Sequence, residues 1–454
     1  MKTPPRTRGA LNALASSSRI ARMLASAQRY VYTEQNSGIV LLVATALALL
    51  CANSALRDTY HSALETSLAI ELGPFRLAKD LQHWINDGLM AIFFFVVGLE
   101  IKRELTHGEL SKLAVAALPI AAAAGGMVAP ALIYVSLNAG GPGASGWGIP
   151  MATDIAFAVG VMALVGPRIP PALRMLLLTL AVVDDIGAIL VIAIFYSGNL
   201  SLPAFAAAAA LLAVIVLLRQ LGLRSVTAYV ALGALFWLAV YLSGVHATIA
   251  GVVLGLLAPA RPLLSAASFR ADATAIVRGY GAALDASDSE RAEALLGQLE
   301  ELTVATEAPV DRLERSFHPW ASYFVLPLFA LANAGVTISI DTLDAAFASP
   351  ITWGAGLGLL VGKPLGICAA VFAAVQLRVA RLPREITWKS LLGVGALAGI
   401  GFTMSIFITE LAFGGGANVE QAKIGVFAAS FLSAVIGFVV LTLGSRAPTA
   451  RRAD

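Results

Sequence analysis

Apolar segments long enough to cross a lipid bilayer recur along the whole chain. A transmembrane helix needs about 20 mainly apolar residues, and twelve stretches of the sequence come close to this composition. Only helices and closed barrels satisfy their backbone polar groups in lipid, and these stretches are too long and too uniformly apolar for barrel strands. The sequence therefore predicts an all-α integral membrane protein with about 12 transmembrane helices. The predicted spans are 37–55, 85–101, 113–137, 147–166, 172–197, 201–218, 225–243, 246–260, 319–338, 351–376, 389–411 and 424–444.

The charged residues are few and unevenly placed. They make up 13% of the chain, against roughly 25% in soluble proteins. An even number of spans puts both termini on one side, and with the termini in the cytoplasm 26 of the 31 Lys and Arg residues fall in cytoplasmic segments. Such an excess is the positive-inside rule. We therefore predict cytoplasmic tails at 1–36 and 445–454 around a membrane domain at 37–444. The net charge of +3 gives no reason to expect nucleic acid.

A long periplasmic loop is predicted at 56–84. Ser67–Leu72 and Phe75–Ala78 flank a Gly-Pro pair, and this pattern is typical of two short strands joined by a turn.

A second long loop, 261–318, is predicted on the cytoplasmic side. Asp288–Leu302 is acidic and helix-prone, and Pro309 lies where a following helix could begin. Neither loop has room for a soluble catalytic domain, and the two cysteines, Cys51 and Cys368, lie inside apolar runs. No cofactor or disulfide is expected.

Four ionisable residues lie deep inside predicted spans, where a charge is costly and points to function. They are Asp154, Asp184, Asp185 and Lys363. Asp87 is a fifth candidate, one turn into the second span.

Asp154 follows Thr153 in a span that is interrupted by glycine and proline. These residues weaken a helix and can free backbone carbonyl groups. A carboxylate and a hydroxyl beside an unwound turn suit a hard cation such as sodium. The alternative is polar contact between helices, which a threonine alone could provide.

Asp184 and Asp185 are adjacent at the middle of the fifth predicted span. Neighbouring helical side chains point about 100° apart, so one carboxylate can face a cavity while the other meets a different helix. Such a pair would take up protons unless a cation stabilises the charged form. Competition between a proton and a cation for one site is the chemistry of an antiporter. A structural ion pair is the alternative, but Lys363 can serve only one of the two.

Lys363 stands mid-span, where an aspartate partner would keep it charged. The residues leave open whether this ion pair is structural or takes part in proton transfer. The eleventh span contains four glycines, and Thr403 and Ser405 come after them within the same span. Spans four and eleven run in opposite directions, which predicts inverted repeats with two broken helices crossing near the midplane.

Seven stretches of the chain resemble the NhaA family of bacterial sodium/proton antiporters, a family known for inverted repeats. They are INDGLMAIFFFVVGLEIKREL, MATDIAFAVGVMALVG, LAVVDDIGAILVIAIFYS, GVHATIAGVVLG, HPWASYFVLPLFALANAGV, GKPLGI and GIGFTMSIFI, spread between about residues 36 and 444.

The resemblance implies roles for particular residues. Asp184 and Asp185, with Asp154 and Thr153, match the ion site, where sodium would bind transiently to the two adjacent aspartates, and Lys363 matches the lysine paired with the first of them. The 56–84 hairpin matches a homodimer contact. A further set matches a pH-response region, and consists of Glu100, Arg103, Glu104, His246, Glu314 and His318.

The chain departs from the family at two places. Arg315 stands where some members carry histidine, and the 261–318 loop is enlarged, which affects pH regulation and not the transport site. Taken together, the resemblance implies a bacterial inner-membrane antiporter that exchanges sodium, and also lithium, for protons. It is not an enzyme, and its partners are these ions and the lipid bilayer.

Three rival functions can be weighed. An intramembrane aspartyl protease splits its aspartates between two helices and carries a Gly-x-Gly-Asp motif, which this sequence lacks. A sodium-coupled solute carrier would not need a buried lysine paired with the aspartates, and a passive channel would not need competing carboxylates. We further expect exchange to be electrogenic, because more than one proton can replace one sodium ion at this site.

Overall fold

The computed structural model describes residues 34–72, 75–166, 168–222 and 225–444, and the structure is mainly helical. The α-helices are α1 Glu34–Ala52, α2 Arg57–Leu64, α3 Leu81–Thr106, α4 Leu113–Asn138, α5 Ile155–Val165, α6 Pro171–Phe195, α7 Leu202–Gln220, α8 Val226–Leu242, α9 Thr248–Leu256, α10 Ala266–Asp285, α11 Ser289–Thr306, α12 Pro309–Trp320, α13 Leu326–Asn333, α14 Ile340–Ala348, α15 Pro350–Gln376, α16 Trp388–Ala398, α17 Phe402–Phe413 and α18 Ala417–Gly444.

Seven helices of the described residues are long and apolar enough to cross a membrane, or nine if each of two bent helix pairs counts as one span. The bent pairs are α1 with α2 and α16 with α17. Every predicted span contains helix, but the total of twelve spans stays a prediction. The eighth predicted span holds only the nine residues of α9, which rise about 14 Å, short of the ~30 Å hydrocarbon core.

The two strands that the sequence predicts in the 56–84 loop are present. β1, Ser67–Leu72, pairs antiparallel with β2, Phe75–Asp80. The register places Ser67 opposite Asp80 and Glu71 opposite Arg76, whose side chains form an ion pair of 3.0 Å. The predicted Gly73-Pro74 turn lies outside the described residues.

The helix predictions in the 261–318 loop are also confirmed, since α11 covers the acidic segment and α12 begins at Pro309. Asp288 caps α11, accepting a hydrogen bond of 3.0 Å from the Arg291 N–H. The sequence did not predict α10, which packs against α11 as a helical hairpin.

In the part of the chain that the structure describes, three π-helical turns interrupt the helices, at Trp84–Leu89, Ala321–Val325 and Gly358–Gly362. A π turn holds one residue more than an α turn, and such turns are frequent at functional sites. The second and third directly precede segments with proline at the second position, Pro327 and Pro364. Because proline has no N–H, the regular α-helical ladder cannot continue through either position.

The chain divides into two compact units. The first unit consists of the described parts of Met1–Leu89, Ala117–Tyr196 and Pro319–Asp454. The second unit consists of the described parts of Met90–Ala116 and Ser197–His318.

Within the second unit, α9 packs closely against α3 through glycine. A β-carbon at Gly98 would lie 2.5 Å from the Val252 carbonyl oxygen, and one at Gly255 would lie 2.5 Å from the Phe95 carbonyl oxygen. Small residues of this kind let membrane helices approach backbone to backbone.

Candidate functional site

The fourth predicted span is not a continuous α-helix. A 3₁₀-helix runs over Ala144–Met151, α5 begins at Ile155, and Ala152 and Asp154 between them are extended. Pro150 lies inside the 3₁₀ segment, one residue before its end, and has no N–H to donate to a helical hydrogen-bond ladder. The interruption exposes backbone polar groups beside Thr153 and Asp154.

A second interruption lies between α16 and α17, which meet at 46° across residues 399–401. Gly399 and Gly401 lie in this break. A β-carbon at either position would be too close to neighbouring atoms, so the packing there requires glycine. The Ser430 hydroxyl accepts a hydrogen bond of 3.2 Å from the Phe402 N–H, so α18 caps the start of α17.

The two interruptions are hydrogen-bonded to each other. The Asp154 N–H donates to the Ile400 carbonyl oxygen at 2.6 Å, and Thr153 Oγ1 lies 2.9 Å from the Ala398 carbonyl oxygen. These bonds hold Thr153 and Asp154 against the end of α16 and the start of α17.

The Asp154 carboxylate caps two helices at once. Its Oδ1 accepts from the Phe157 N–H in α5 at 3.2 Å. Its Oδ2 accepts from the Thr403 N–H at 3.0 Å and from Thr403 Oγ1 at 2.5 Å, both in α17. A negative charge at a helix N-terminus is favourable, and here one carboxylate serves two. The sequence singled out the hydroxyl of Thr403 but not its pairing with Asp154.

Lys363 and Asp184 form the ion pair that the sequence predicts, and neither side chain has any exposed surface. Lys363 Nζ also donates to Thr153 Oγ1 at 2.9 Å. The single proton of that hydroxyl then has two possible acceptors, Asp184 Oδ2 at 2.7 Å and the Ala398 carbonyl oxygen at 2.9 Å. Side chains of three spans and a backbone carbonyl of a fourth therefore meet in one buried polar group.

One carboxylate oxygen in this group accepts no hydrogen bond from the described residues. Asp184 Oδ1 is buried and has no hydrogen-bond partner among the described residues. Asp185, the next residue of α6, is 6% exposed. A carboxylate oxygen with spare acceptor capacity, beside hydroxyl and carbonyl oxygens, is the kind of ligand that a hard cation takes.

Asp87 lies half-buried in the π turn of α3. Next to it in the chain, Asn86 exchanges hydrogen bonds of 3.2 and 2.7 Å with Asn333. These residues also belong to the first unit. A part for Asp87 in transport stays a prediction.

Part of the predicted pH-response set comes together in the second unit. Arg103 forms an ion pair with Glu314 and lies 3.8 Å from Glu104 Oε1. Burial raises the pKa of the Glu314 carboxyl, and the Arg103 charge opposes this. Glu100 and His318 lie on the same two helices, one turn from Arg103 and Glu314.

His246 lies elsewhere in the second unit, in the turn before α9. Its Nδ1 is 2.8 Å from Thr248 Oγ1. Nothing described links it to Arg103 or Glu314, so its role in the pH response stays a prediction.

Arg315 is the residue that departs from the family pattern. It donates to Glu307 through both terminal nitrogens, Nη1 and Nη2, with Nη2 2.8 Å from Glu307 Oε2. The hydrogen bond from Arg315 lowers the pKa of Glu307. The pair joins α12 to the segment that follows α11.

Long apolar helices with paired charges and hydroxyls buried among them define a multi-pass helical membrane protein with an intramembrane polar site. The model of the Na+/H+ antiporter 1 family matches residues 28–441. The chain belongs to this family.

Curated relatives share close to half of their residues with this chain. Na(+)/H(+) antiporter NhaA 2 of Sorangium cellulosum is 48% identical over 91% of this chain and 88% of the relative. Na(+)/H(+) antiporter NhaA of Oleidesulfovibrio alaskensis is 46% identical, covering 93% and 94%. That of Rhodopirellula baltica is 46% identical, covering 95% and 96%.

Proposed function

We propose that this protein is a secondary antiporter that exchanges intracellular sodium, and also lithium, for extracellular protons. The observation that carries the proposal is the buried group of Asp184, Lys363 and Thr153, with Asp185 beside it and one Asp184 oxygen unpartnered among the described residues. The curated relatives are named as Na(+)/H(+) antiporters, which supports sodium and protons as the exchanged ions.

In this mechanism Asp184 and Asp185 are the sodium ligands, with Thr153 as a neutral oxygen ligand. Two carboxylates in a low-dielectric site cannot both stay charged without a cation. A sodium ion and protons therefore exclude one another at the same oxygens. Each crossing of the membrane carries either sodium or protons at these oxygens, since bare buried carboxylates are costly.

Lys363 has two possible parts in the cycle. As a fixed counter-ion it neutralises Asp184, so that only Asp185 exchanges its proton. As a proton carrier it releases a proton when sodium takes Asp184, and this second role makes more than one proton move for each sodium ion. We favour the second role, because Lys363 holds Asp184 through the same oxygen that Thr153 contacts. Sodium binding at Asp184 would then displace the ammonium group.

Moving more than one proton for each sodium ion makes the exchange electrogenic. The membrane potential then contributes ~2.3 kcal/mol per elementary charge for each ~100 mV, and sodium export continues when the proton gradient is small. Sodium and pH homeostasis at alkaline pH would follow.

We place the protein in the bacterial inner membrane with both termini in the cytoplasm and twelve spans, in which the two interrupted spans belong to inverted repeats and cross near the midplane. The strand pair β1–β2 is the proposed homodimer contact, and Glu100, Arg103, Glu104, Glu314, His318 and His246 are the proposed pH-response residues.

Proton-gradient dequenching in everted membrane vesicles tests the exchange. Sodium and lithium salts should collapse an acid-inside gradient, and choline chloride should not. Asp185→Asn should abolish the sodium response, while Asp344→Asn, which removes an exposed aspartate of α14, should leave it intact. The proposal fails if sodium has no effect at any pH between about 6.5 and 9.

Solid-supported membrane recording tests electrogenicity. A sodium concentration jump on reconstituted protein should give a transient current whose sign is that of positive charge moving with the protons. Exchange without a current, unaffected by a potassium–valinomycin clamp, would leave an electroneutral exchanger with Lys363 as a counter-ion only.

A further inference from the structure

The hydroxyl group of Tyr196 joins the end of α6 to the interrupted fourth span. Tyr196 follows α6 as its C-terminal cap residue. Its hydroxyl donates a hydrogen bond of 2.7 Å to the Ser145 carbonyl oxygen and accepts one of 3.2 Å from the Gly148 N–H. Both backbone groups belong to the 3₁₀ segment Ala144–Met151. A tyrosine hydroxyl can donate one proton and also accept, and here it does both with the same segment.

A pair of aromatic rings adds to this contact. Phe195, the last residue of α6, meets Trp147 of the 3₁₀ segment edge to face, with ring centroids 5.0 Å apart and ring planes at 87°. Edge-to-face packing is one of the arrangements that aromatic pairs prefer. The end of α6 therefore holds the 3₁₀ segment through two consecutive residues.

The 3₁₀ segment needs such outside partners because its own conformation is weak. It runs for eight residues, whereas 3₁₀ runs longer than about four residues are uncommon because their hydrogen bonds are poorly aligned. Gly146 and Gly148 add conformational freedom, and Pro150 has no N–H to donate. The Ser405 hydroxyl of α17 also donates to the segment, at 2.7 Å from the Ile149 carbonyl oxygen. Contacts from α6 and α17 thus stabilise a segment that is weak by itself.

The same helix carries the proposed cation ligands. Asp184 Oδ2 in α6 accepts from Thr153 Oγ1 at 2.7 Å, and Thr153 lies two residues after the 3₁₀ segment. The fourth span is therefore hydrogen-bonded to α6 at two levels, Asp184 and Tyr196, which are twelve residues and ~18 Å apart along the helix. Two attachments at this separation oppose tilting and sliding of the span along α6, whereas a single attachment at Asp184 would permit both.

We propose that Tyr196 is a positioning residue for the transported cation. Its hydroxyl holds the 3₁₀ segment against α6, and so sets where Thr153 Oγ1 lies relative to the carboxylates of Asp184 and Asp185. This inference rests on the proposed exchange of sodium for protons. Groups that orient metal ligands commonly change metal affinity by about 10- to 100-fold when they are removed. We expect a smaller effect from Tyr196, because it acts on Thr153 through the backbone of the intervening segment.

Tyr196→Phe removes the hydroxyl and keeps the ring. The apparent sodium KM of exchange in proteoliposomes should rise about threefold to tenfold, the loss expected for one neutral hydrogen bond, while the maximal rate should change by less than about twofold. A hydroxyl that served only the stability of the segment would lower the melting temperature and leave the KM of the folded protein unchanged.

The matched control is Tyr60→Phe. It removes another tyrosine hydroxyl that donates to a backbone oxygen, that of Leu331 at 2.6 Å. This bond joins α2 to α13, and neither helix carries a proposed cation ligand. The sodium KM of the control should therefore stay at the wild-type value.

The outcomes are distinct. An unchanged sodium KM in Tyr196→Phe, whether or not the melting temperature falls, overturns the positioning role and leaves the antiport proposal standing. If this variant gave no folded protein, Phe195→Leu would replace it, since it removes the ring contact with Trp147 and keeps an apolar side chain. An unchanged KM there would then overturn the role. An equal rise of KM in Tyr60→Phe would show a general effect of losing a hydroxyl and would also overturn it. A wild-type protein that exchanges no sodium defeats both proposals.

Discussion

The Lys363 ammonium group and the Asp184 carboxylate form an ion pair that has no exposed surface on either side chain. A buried pair contributes little net stability, but the removal of one partner leaves the other charge without compensation.

Lys363→Ala should lower the free energy of unfolding by roughly 3–5 kcal/mol near pH 8.5. The loss should be smaller near pH 5.5, because the unpaired Asp184 carboxylate can bind a proton and become neutral. Thermal unfolding of the purified protein in detergent measures both. The double variant Lys363→Ala/Asp184→Asn removes both charges and should recover part of the loss. If single and double variants were equally unstable at both pH values, the uncompensated charge would not be the cause.

Thr403→Val should destabilise the protein by about 1.5–3 kcal/mol, since Thr403 Oγ1 donates to the charged Asp154 carboxylate. Thr409→Val in the same helix is the matched control, because the buried Thr409 hydroxyl donates only to the Ser405 carbonyl oxygen. This neutral bond contributes about 0.5–1.5 kcal/mol. Equal melting temperatures for the two variants would argue against a charged Asp154 at the helix ends.

Glu314→Gln should change the pH dependence of stability. Burial raises the pKa of Glu314, so the folded protein binds this proton more tightly than the unfolded chain. The stability that the protonated Glu314 carboxyl contributes is fully present below its ordinary pKa of 4.5. It is lost as pH rises through the raised pKa of the folded protein. Glutamine removes that loss, and the stability of the variant relative to wild type should increase with pH over this window. Melting temperatures measured from about pH 4 to 8 test this, and a flat or falling difference would contradict it.

Arg315→His should make the join between α12 and the segment after α11 sensitive to pH. The pair with Glu307 lowers the pKa of that carboxyl, so its stabilisation is present above pH 4.5 and is lost as pH falls through the lowered value. Histidine carries the needed charge only below about pH 6.5. Amide hydrogen exchange around Glu307 should therefore be faster in the variant at about pH 8 than at about pH 5.5, after correction for intrinsic rates. Arg278→His, which replaces an exposed arginine of α10, is the control and should not reproduce the change.

Local sequence patterns predict much of this protein. Apolar length and composition predict the spans, and the cost of burying charge in lipid singles out Asp154, Asp184, Asp185 and Lys363. The strand pair β1–β2 and the start of α12 follow from local turn and proline signals.

The contacts of the site could not be predicted in the same way. Thr403 and Asp154 are 249 residues apart in the chain, and nothing in either local pattern specifies the other as its partner. The eighth predicted span, 246–260, is already short in the sequence, and α9 covers still less of it, from Thr248 to Leu256.

The π turn at Gly358–Gly362 has a consequence for how the sequence can change. It adds one residue to the helix, and each residue turns an α-helix by about 100°. Deletion of a single residue within the turn would restore a regular α-helix. It would also rotate the part of α15 after the turn relative to the part before it. Either Lys363 would then swing away from Asp184, or the first half of α15 would lose its neighbours. An insertion or deletion of one residue is therefore expected to be more harmful here than most substitutions, although no charged group is altered.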